Sequence, residues 1–356
     1  MAKKLFIPGP VEVHKDILAA MSVPMIGHRS SDYAALHKRV TEKLKRLLYT
    51  KGRVFLSTSS AFGVMEGAVK NLVQKRCANF CNGAFSAKWH DVAQRCGLEA
   101  DAYKAEWGNP ITPEMVDDAL KTGKYDAITL VHNETSTGTM SPLEEIAEVM
   151  LKYPDVSFIV DTVSSMSGVK VEVDALRLDV CVASVQKAFG LPPGLAVFTV
   201  SDRALEKAKS TPNRGYYFDF LEFAANDEKH NTPSTPCISL IHALDVQLDR
   251  IFKEGAEARF ARHARMAEKT RKWILSHGFE LFAKEGYRSQ TLTSGSNNKN
   301  SDLEGLKKKL AERGFAFDNG YGKVKNKTFR IAHMADIMPE DLDELFQTIE
   351  DIWAGK

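Results

Sequence analysis

Short apolar runs alternate with amphipathic helical patterns between residues 54 and 200. The apolar runs lie at 54–57, 78–82, 101–105, 126–131, 157–161, 179–183 and 195–200, and helical patterns at 64–73, 84–96, 113–121 and 142–152 separate the first five. This alternation is typical of a mostly parallel sheet covered by helices on both faces. The sequence therefore predicts an α/β fold whose large domain contains a seven-stranded sheet, with a ligand site beyond the carboxyl ends of its strands.

The pattern changes after about residue 237. Helical stretches at 238–251 and 256–275 lead into strand patterns at 279–282, near 291 and at 328–331, and into helical patterns at 302–313 and 339–353. We expect a smaller α+β domain of residues 1–15 and 255–356 beside a large domain of residues 16–254. Residues 1–30 are expected to form a loop arm, residues 31–50 a helix and residues 294–301 a surface loop.

Composition excludes some partners. The 48 basic and 46 acidic residues leave a net charge of +2, which gives no electrostatic reason to expect nucleic acid or an anionic membrane as a partner. No apolar run reaches the roughly 18 residues of a membrane span, and the run before Pro8 is too short for a signal peptide. The five cysteines form neither a CxxC pair nor an even disulfide set. We therefore expect a reduced, cytoplasmic compartment and no metal site.

Lys187 follows the apolar run 179–183 and precedes a turn that contains Gly190, Pro192 and Pro193. Lysine is seldom buried, so a lysine beside a core strand either reaches solvent or has a chemical role. An amine desolvated by apolar neighbours has a lowered pKa and can form a Schiff base with a carbonyl such as that of pyridoxal phosphate. We interpret Lys187 as a candidate catalytic amine.

Asp161 ends the apolar run 157–161. A carboxylate at the end of a buried strand is unfavourable unless a cation accompanies it. The protonated ring nitrogen of a pyridoxal is such a cation, whereas the ordinary alternative is a carboxylate that caps the next loop. Because Asp161 and Lys187 both follow core strands, we expect them to lie at the same edge of the sheet.

Three other stretches place polar or aromatic residues at strand ends. Residues 57–63 join a strand to a helix and offer hydroxyl groups and backbone amides to a phosphate, although an ordinary N-cap has the same composition. Phe85 follows the next strand, where it can stack on a planar ring or belong to the core. The polar segment 132–138 follows the apolar strand 127–131, which indicates a functional loop.

Arg330 lies within the apolar strand pattern 328–331. A buried arginine needs an anion, and its planar guanidinium group suits the carboxylate of a substrate. The alternative is an internal salt bridge.

Together these segments resemble the class V branch of the fold-type I pyridoxal-phosphate aminotransferases, in particular the alanine–glyoxylate and serine–pyruvate group. The likeness extends from Pro8 to Arg330. Its most specific parts are HNETSTG (132–138), DTVSS (161–165), QKAFGLPPG (186–194) and FRIAHM (329–334). The resemblance implies pyridoxal 5'-phosphate as cofactor, the fold-type I architecture, and an obligate homodimer with active sites shared across the interface.

The resemblance also implies a role for each matching residue. Lys187 would be the Schiff-base lysine, Asp161 would pair with the pyridine nitrogen, and Arg330 would bind the α-carboxylate of the substrate. The other implied cofactor contacts are Ser60, Ala61, Phe62 and Gln186 at the phosphate, Phe85 and Val163 on the two ring faces, Thr135 at the ring hydroxyl, and Asn231 and Thr232 at the phosphate of the neighbouring subunit's cofactor.

Two features depart from the family pattern. Ser59 and Ala61 stand where the phosphate turn usually has glycines, so a positive φ at Ala61 would be strained. Phe85 stands where several relatives have tryptophan, which alters the strength of stacking. Neither departure changes the predicted cofactor.

The resemblance implies ping-pong transfer of an amino group from alanine or serine to glyoxylate or pyruvate. Phosphoserine aminotransferase is the nearest alternative, because His28, Arg29 and the segment 231–233 also resemble its phosphate-binding segments. The sequence leaves open whether the amino donor is alanine or serine, on the one hand, or phosphoserine, on the other.

Two remote alternatives are a cysteine desulfurase of the same fold and a binding protein without catalytic activity. The desulfurase needs a cysteine in the C-terminal region and a histidine before the lysine, whereas no cysteine follows Cys237 and Gln186 precedes Lys187. Lys187, Asp161 and Arg330 are all present, which argues against a protein that has only kept the fold.

Overall fold

The computed structural model describes residues 3–355. Its strands are β1 Lys4–Leu5, β2 Arg53–Ser57, β3 Cys77–Cys81, β4 Ala100–Lys104, β5 Ala127–Val131, β6 Asn133–Glu134, β7 Thr139–Met140, β8 Ser157–Asp161, β9 Val180–Ser184, β10 Ala196–Val200, β11 Glu280–Leu281, β12 Leu292–Ser296, β13 Phe315–Ala316 and β14 Thr328–Ala332. Seven of these strands form the central sheet, in the order β2-β10-β9-β8-β5-β3-β4. Only β10 runs antiparallel to its neighbours in this sheet, which confirms the predicted mostly parallel architecture.

Helices cover both faces of the sheet. The α-helices of the described chain, including those of the C-terminal region, are α1 Lys15–Ala20, α2 Ser31–Leu47, α3 Ala61–Leu72, α4 Ala84–Arg95, α5 Pro113–Leu120, α6 Leu143–Met150, α7 Asp202–Lys209, α8 Phe220–Asp227, α9 Ile238–Glu254, α10 Ala256–Ser276, α11 Leu303–Glu312 and α12 Pro339–Trp353. Several helices begin at a side-chain cap; for example, the hydroxyl groups of Ser30 and Ser201 accept from the backbone N–H groups of Tyr33 and Ala204. Within residues 3–355, the helices are all too short or too polar to cross a bilayer.

Two hydrophobic cores lie on opposite faces of the sheet. Successive side chains of a strand point to opposite faces, and accordingly Leu130 belongs to one core whereas its neighbour Val131 belongs to the other. Because both faces are buried, the central strands are apolar throughout rather than alternating. This explains why the strands were recognisable as continuous apolar runs.

The C-terminal region has its own core and its own sheets. Strands β11, β12 and β14 form an antiparallel sheet, and β1 pairs in parallel with β13, so the N-terminal segment joins this region. A smaller cluster that includes Ala188, Leu292 and Ala332 packs β12 and β14 against the turn that carries Lys187. The domain boundaries at residues 15 and 254 stay a prediction.

Three details of the predicted secondary structure were wrong. Residues 1–30 are not only a loop arm, because they contain β1 and the short helix α1. Residues 294–296 of the expected surface loop belong to β12, since they pair with β14 and lie in the interior of the sheet. Helices α7 and α8 were not expected, although α5 and α6, which are equally long at 8 residues each, were.

Candidate active site

Lys187 lies three residues beyond the end of β9, in a turn that the backbone ties closely. The N–H of Gly190 donates to the carbonyl of Lys187 at 2.9 Å, and the N–H of Leu191 donates to Val185 at 3.0 Å. The Nζ of Lys187 donates to the carbonyl oxygen of Pro8. Burial, with a further contribution from the charge of Arg330, lowers the pKa of Lys187 to about 8. A substantial fraction of this amine is therefore neutral and nucleophilic near neutral pH.

Asp161 ends β8, the strand adjacent to β9, so the structure brings Asp161 and Lys187 to the same edge of the sheet as expected. The carboxylate is buried and accepts two hydrogen bonds, from Trp89 Nε1 at 3.0 Å and from the N–H of Val163 at 2.8 Å. Among the described residues, none forms an ion pair with it. Burial raises the pKa of Asp161 to about 6, although both hydrogen bonds act in the opposite direction.

Lys187, Phe85, Thr135 and Arg330 line one cavity of about 430 Å³. The ring of Phe85 stacks on the ring of Tyr321, with centroids 5.3 Å apart and an interplanar angle of 13°. The hydroxyl group of Thr135 donates to Ser164 Oγ at 2.8 Å. These four predicted site residues, which lie far apart in the sequence, therefore surround a common space.

Arg330 already has an anionic partner in this cavity. Its Nε and Nη2 atoms each lie 2.8 Å from an oxygen of Asp318. The internal salt bridge, which the sequence left open as the alternative to substrate binding, is thus present. It does not use every donor of the guanidinium group.

Glu134 holds the start of α4 and the loop that carries Thr135. Its buried carboxylate accepts from the N–H groups of Phe85 at 3.3 Å, Ser86 at 2.8 Å and Ser136 at 3.0 Å. A carboxylate at a helix N-terminus satisfies free N–H groups and interacts favourably with the helix dipole. Gly83 has to be a glycine here, because a Cβ atom would overlap the Glu134 side chain.

Ser60, Ala61 and Phe62 form the N-terminus of α3, directly after β2. Register places Ser57 opposite Ala196, and Ala196 opposite Ser184, so this N-terminus and the Lys187 turn lie at the same edge of the sheet. The side chain of Ser60 makes no capping hydrogen bond, which leaves the first N–H groups of the helix to a ligand. Neither Ser59 nor Ala61 has a positive φ, so the strain considered for Ala61 does not arise.

The remaining predicted residues divide into two groups. Gln186 and Val163 lie beside Lys187 and Asp161: Gln186 Oε1 accepts from Ser184 Oγ at 2.6 Å, and Val163 is half-buried. Residues His28, Arg29, Asn231 and Thr232 do not line the cavity of Lys187 within this chain.

A family model described as aminotransferase class-V matches residues 28–335. The chain belongs to the class-V aminotransferases. An uncharacterised aminotransferase of Methanocaldococcus jannaschii is 40% identical over 340 residues, covering 93% of this chain and 88% of the relative. A serine–glyoxylate aminotransferase of Methylorubrum extorquens is 33% identical over 350 residues, with coverage of 94% and 86%. The crystal structure of an alanine–glyoxylate aminotransferase from Nostoc sp. superposes with a TM-score of 0.94 at 27% identity, covering 99% and 96% of the two chains.

Membership in the class-V aminotransferases makes pyridoxal 5'-phosphate the cofactor, and the site fits it. The buried carboxylate of Asp161 has two hydrogen-bond donors but forms no ion pair within residues 3–355, and the protonated ring nitrogen would supply the missing cation. The uncapped N-terminus of α3 suits the phosphate group. Lys187 lines the cavity that also contains Phe85, Thr135 and Arg330, and its amine can form the Schiff base with the cofactor. The architecture is accordingly that of fold-type I pyridoxal-phosphate transferases.

Sequence reasoning missed three components of this aminotransferase site. Trp89, which donates to Asp161, lies one helical turn after Phe85. A buried indole N–H needs an acceptor, and this requirement could have indicated Trp89 from the sequence. Asp318 is followed by Asn-Gly, a turn sequence whose acidic residue could have been matched with Arg330. Pro8 and Gly9 were assigned only to a loop arm, although they contact Lys187 directly.

Proposed function

We propose that this enzyme moves the amino group of a small amino acid, alanine or serine, to glyoxylate or pyruvate in a ping-pong cycle. The observation that carries the proposal is the cavity in which Lys187, with a lowered pKa, faces the carboxylate-binding candidate Arg330 across one space. The relatives named serine–glyoxylate and alanine–glyoxylate aminotransferases support this choice of substrates. The walls contributed by Ile7, Pro8 and Phe85 favour a small donor side chain.

Bound pyridoxal phosphate supplies a reactive carbonyl carbon and a ring that withdraws electrons. The residues of the chain provide the rest. Arg330 would hold the substrate α-carboxylate. Lys187 Nζ, whose pKa is lowered to about 8, would take a proton from the substrate Cα and deliver it to the carbon that was the carbonyl carbon of the cofactor, which is the 1,3-shift that an amino transfer requires. Asp161, held by Trp89 and Val163, keeps its negative charge beside the ring nitrogen. The turn of Pro8 and Gly9 contacts the Lys187 side chain, which is half-buried.

We further propose that the enzyme is a homodimer whose active sites are shared. Exposed apolar side chains support this proposal: Leu18, Val23 and Met25 near α1, and Phe62, Tyr216 and Tyr217 around the start of α3. The turn of Asn231 and Thr232 is proposed to serve the cofactor phosphate of the partner, as the family resemblance implies.

Subunit mixing tests the shared site. A Lys187→Ala chain is expected to be inactive alone, and a chain with Asn231→Ala and Thr232→Ala is expected to be weakly active alone. Mixed dimers regain activity, because one of their two sites combines an intact lysine with the intact turn of the other chain. If mixed dimers show only the average activity of the parents, or if the protein is a monomer at assay concentration, the shared site is refuted.

A cytoplasmic location is also proposed. All five cysteines are free thiols, and Cys77, Cys81 and Cys181 are buried in the core. Burial raises the pKa values of these three thiols, so they are unreactive structural residues suited to a reducing compartment.

Phosphoserine is the second candidate donor, and one observation favours it. Lys3 and Lys307 line the same cavity as Lys187 and Arg330, and both are exposed, so they provide cations for a second anionic group. Lys307 is directed by a hydrogen bond of 3.2 Å to Asn319 Oδ1. Arg29, the residue for which the sequence suggested this role, does not line the cavity within its own chain.

The values of kcat/KM for alanine, serine and phosphoserine decide between the candidates. We expect alanine or serine to be preferred, and Lys307→Ala and Arg29→Ala to leave that preference unchanged. A phosphoserine preference that collapses selectively in either variant overturns the proposal in favour of the phosphoserine enzyme. Lys308→Ala is the matched control, because Lys308 is an exposed neighbour outside the cavity.

A further inference from the structure

The guanidinium group of Arg330 is held on two sides. Nε and Nη2 donate to the two oxygens of Asp318, and Nη1 donates to the backbone carbonyl of Thr135, all at 2.8 Å. A guanidinium group has five N–H donors. Three of them are used here, so two remain, which is the number that a carboxylate needs for a bidentate pair.

Asp318 is itself fixed by the backbone around it. Its Oδ1 accepts from the N–H of Gly320 at 2.9 Å, and its carbonyl oxygen accepts from the N–H of Arg330 at 2.9 Å. Gly320 has φ +90°, and a Cβ atom there would lie 2.6 Å from the carbonyl oxygen of Val324. The carboxylate therefore loses its hydrogen bond from the N–H of Gly320 if it swings away from Arg330.

The pair is located where a substrate would bind. Asp318 and Arg330 both line the cavity of Lys187, and Tyr321 lies with its ring centre 5.6 Å from the Cζ atom of Arg330. The Arg330 side chain is only 4% exposed, so little water competes for its remaining donors. The carbonyl of Thr135 links the same guanidinium to the loop that borders the cofactor space.

We infer that Asp318 is a positioning residue: it holds Arg330 so that the two unused N–H groups face the cavity and receive the α-carboxylate of the substrate. The inference rests on the proposed function, in which Arg330 binds that carboxylate. The opposite arrangement makes Asp318 a competitor, which the substrate has to displace from Arg330. The two arrangements predict opposite effects on carboxylate affinity when the Asp318 charge is removed. If Asp318 positions Arg330, the affinity falls because Arg330 loses its orientation; if Asp318 competes for Arg330, the affinity rises because a competing anion is gone.

The charge of Asp318 has a second, independent consequence. Asp318 acts on Lys187 to raise its pKa, in opposition to Arg330 and to burial. Replacing Asp318 by asparagine therefore lowers the pKa of Lys187 further. A residue that only supported the local fold would not move this titration, whereas a charged group beside both Arg330 and Lys187 does.

The test measures binding of propionate to the holoenzyme. Propionate has the carboxylate but no amino group, so its Kd reports the Arg330 site without turnover, and propionamide is the neutral control ligand. In Asp318→Asn we expect the Kd of propionate to rise about tenfold, through the loss of one charge-assisted bond, and the cofactor absorbance to titrate at lower pH. Asparagine still accepts from the N–H of Gly320, so the turn is preserved; Asp318→Ala is the second variant and is expected to show a larger rise.

Asp101→Asn is the matched control. It removes a carboxylate that pairs with Arg76 at 2.8 Å on the edge strand β4, outside the cavity, and is expected to leave the Kd of propionate unchanged. An unchanged or lower Kd in Asp318→Asn overturns the positioning role. Arg330→Ala separates the two levels of inference: if it leaves the Kd unchanged, Arg330 is not the carboxylate site, and the role that the proposed function gives to Arg330 is wrong.

Discussion

The bond between Trp89 and Asp161 leads to a prediction that can be worked from the structure. Trp89→Phe keeps an aromatic side chain in the core but removes the N–H group that lies 3.0 Å from Asp161 Oδ2. A hydrogen bond to a charged group contributes about 1.5–3 kcal/mol. At 1.36 kcal/mol per pKa unit, its loss raises the pKa of Asp161 by about one to two units from its value of about 6.

Cofactor affinity as a function of pH measures this change without any turnover. If only ionised Asp161 accepts the protonated ring nitrogen, the Kd of pyridoxal phosphate at pH 6 rises about five- to fifty-fold in Trp89→Phe, whereas at pH 8.5 the same effect is less than about twofold. Titration of the apoenzyme, followed by absorbance, gives the Kd at each pH.

Trp273→Phe is the matched control, because Trp273 Nε1 donates to Glu350 at 2.8 Å in the C-terminal region. This control loses the same kind of bond and the same volume, and should leave the pH dependence of the Kd unaltered. An equal loss of affinity at pH 6 and pH 8.5 in Trp89→Phe would refute the electrostatic reasoning and leave only a packing defect.

Three further predictions concern the amine, its covering turn and the buried histidines. Lys187→Ala abolishes turnover but retains most of the cofactor affinity, and near wild-type multiple turnover in this variant would exclude Lys187 as the amine. Gly9→Ala lowers kcat at least tenfold and also lowers the Tm, because Gly9 has φ +117° and a Cβ atom would lie 2.6 Å from Lys187 Nζ; normal activity would contradict this contact. Burial lowers the pKa of His132 to about 4 and of His333 to about 3, from about 6.5 in the unfolded chain. The unfolded state therefore binds more protons than the folded state below about pH 6.5, and each histidine reduces the free energy of unfolding by about 2 kcal/mol at pH 5. Urea unfolding at pH 7 and at pH 5 measures this difference. A free energy of unfolding that is equal at the two pH values would contradict the prediction.

Much of the architecture was predictable because the central strands are buried on both faces. A fully buried strand is a nearly continuous apolar run, and β5, β8, β9 and β10 were recognisable in this way. Their polar ends then indicated Asp161 and Lys187, since the chemistry of a buried charge is visible in a single residue and its apolar context. The helix α1, which has only six residues and therefore little periodic information, was missed. Helices α7 and α8 were also missed, although α5 and α6 of the same length were predicted.

The details of the site were less predictable because they depend on pairs of distant residues. Arg330 was identifiable as a buried cation, but its pairing with Asp318 depends on how the turn at Gly320 folds against β14. Likewise, Trp89 reaches Asp161 across 72 positions of the sequence, and the carbonyl of Pro8 reaches Lys187 across 179. No local sequence pattern indicates such contacts. The sequence did predict that the site lies at the carboxyl ends of the strands of the central sheet.

A single half-reaction tests the central claim most directly. Alanine or serine is added to the purified wild-type holoenzyme without an acceptor, and the absorbance of the bound cofactor is followed. Amino transfer predicts that the absorbance of the Schiff base between Lys187 and the cofactor disappears, in about one equivalent per chain, and that glyoxylate or pyruvate then restores it. If neither amino acid changes the absorbance while phosphoserine does, the donor is wrong; if none of the three changes it, the claim that this chain is an aminotransferase for small amino donors is contradicted.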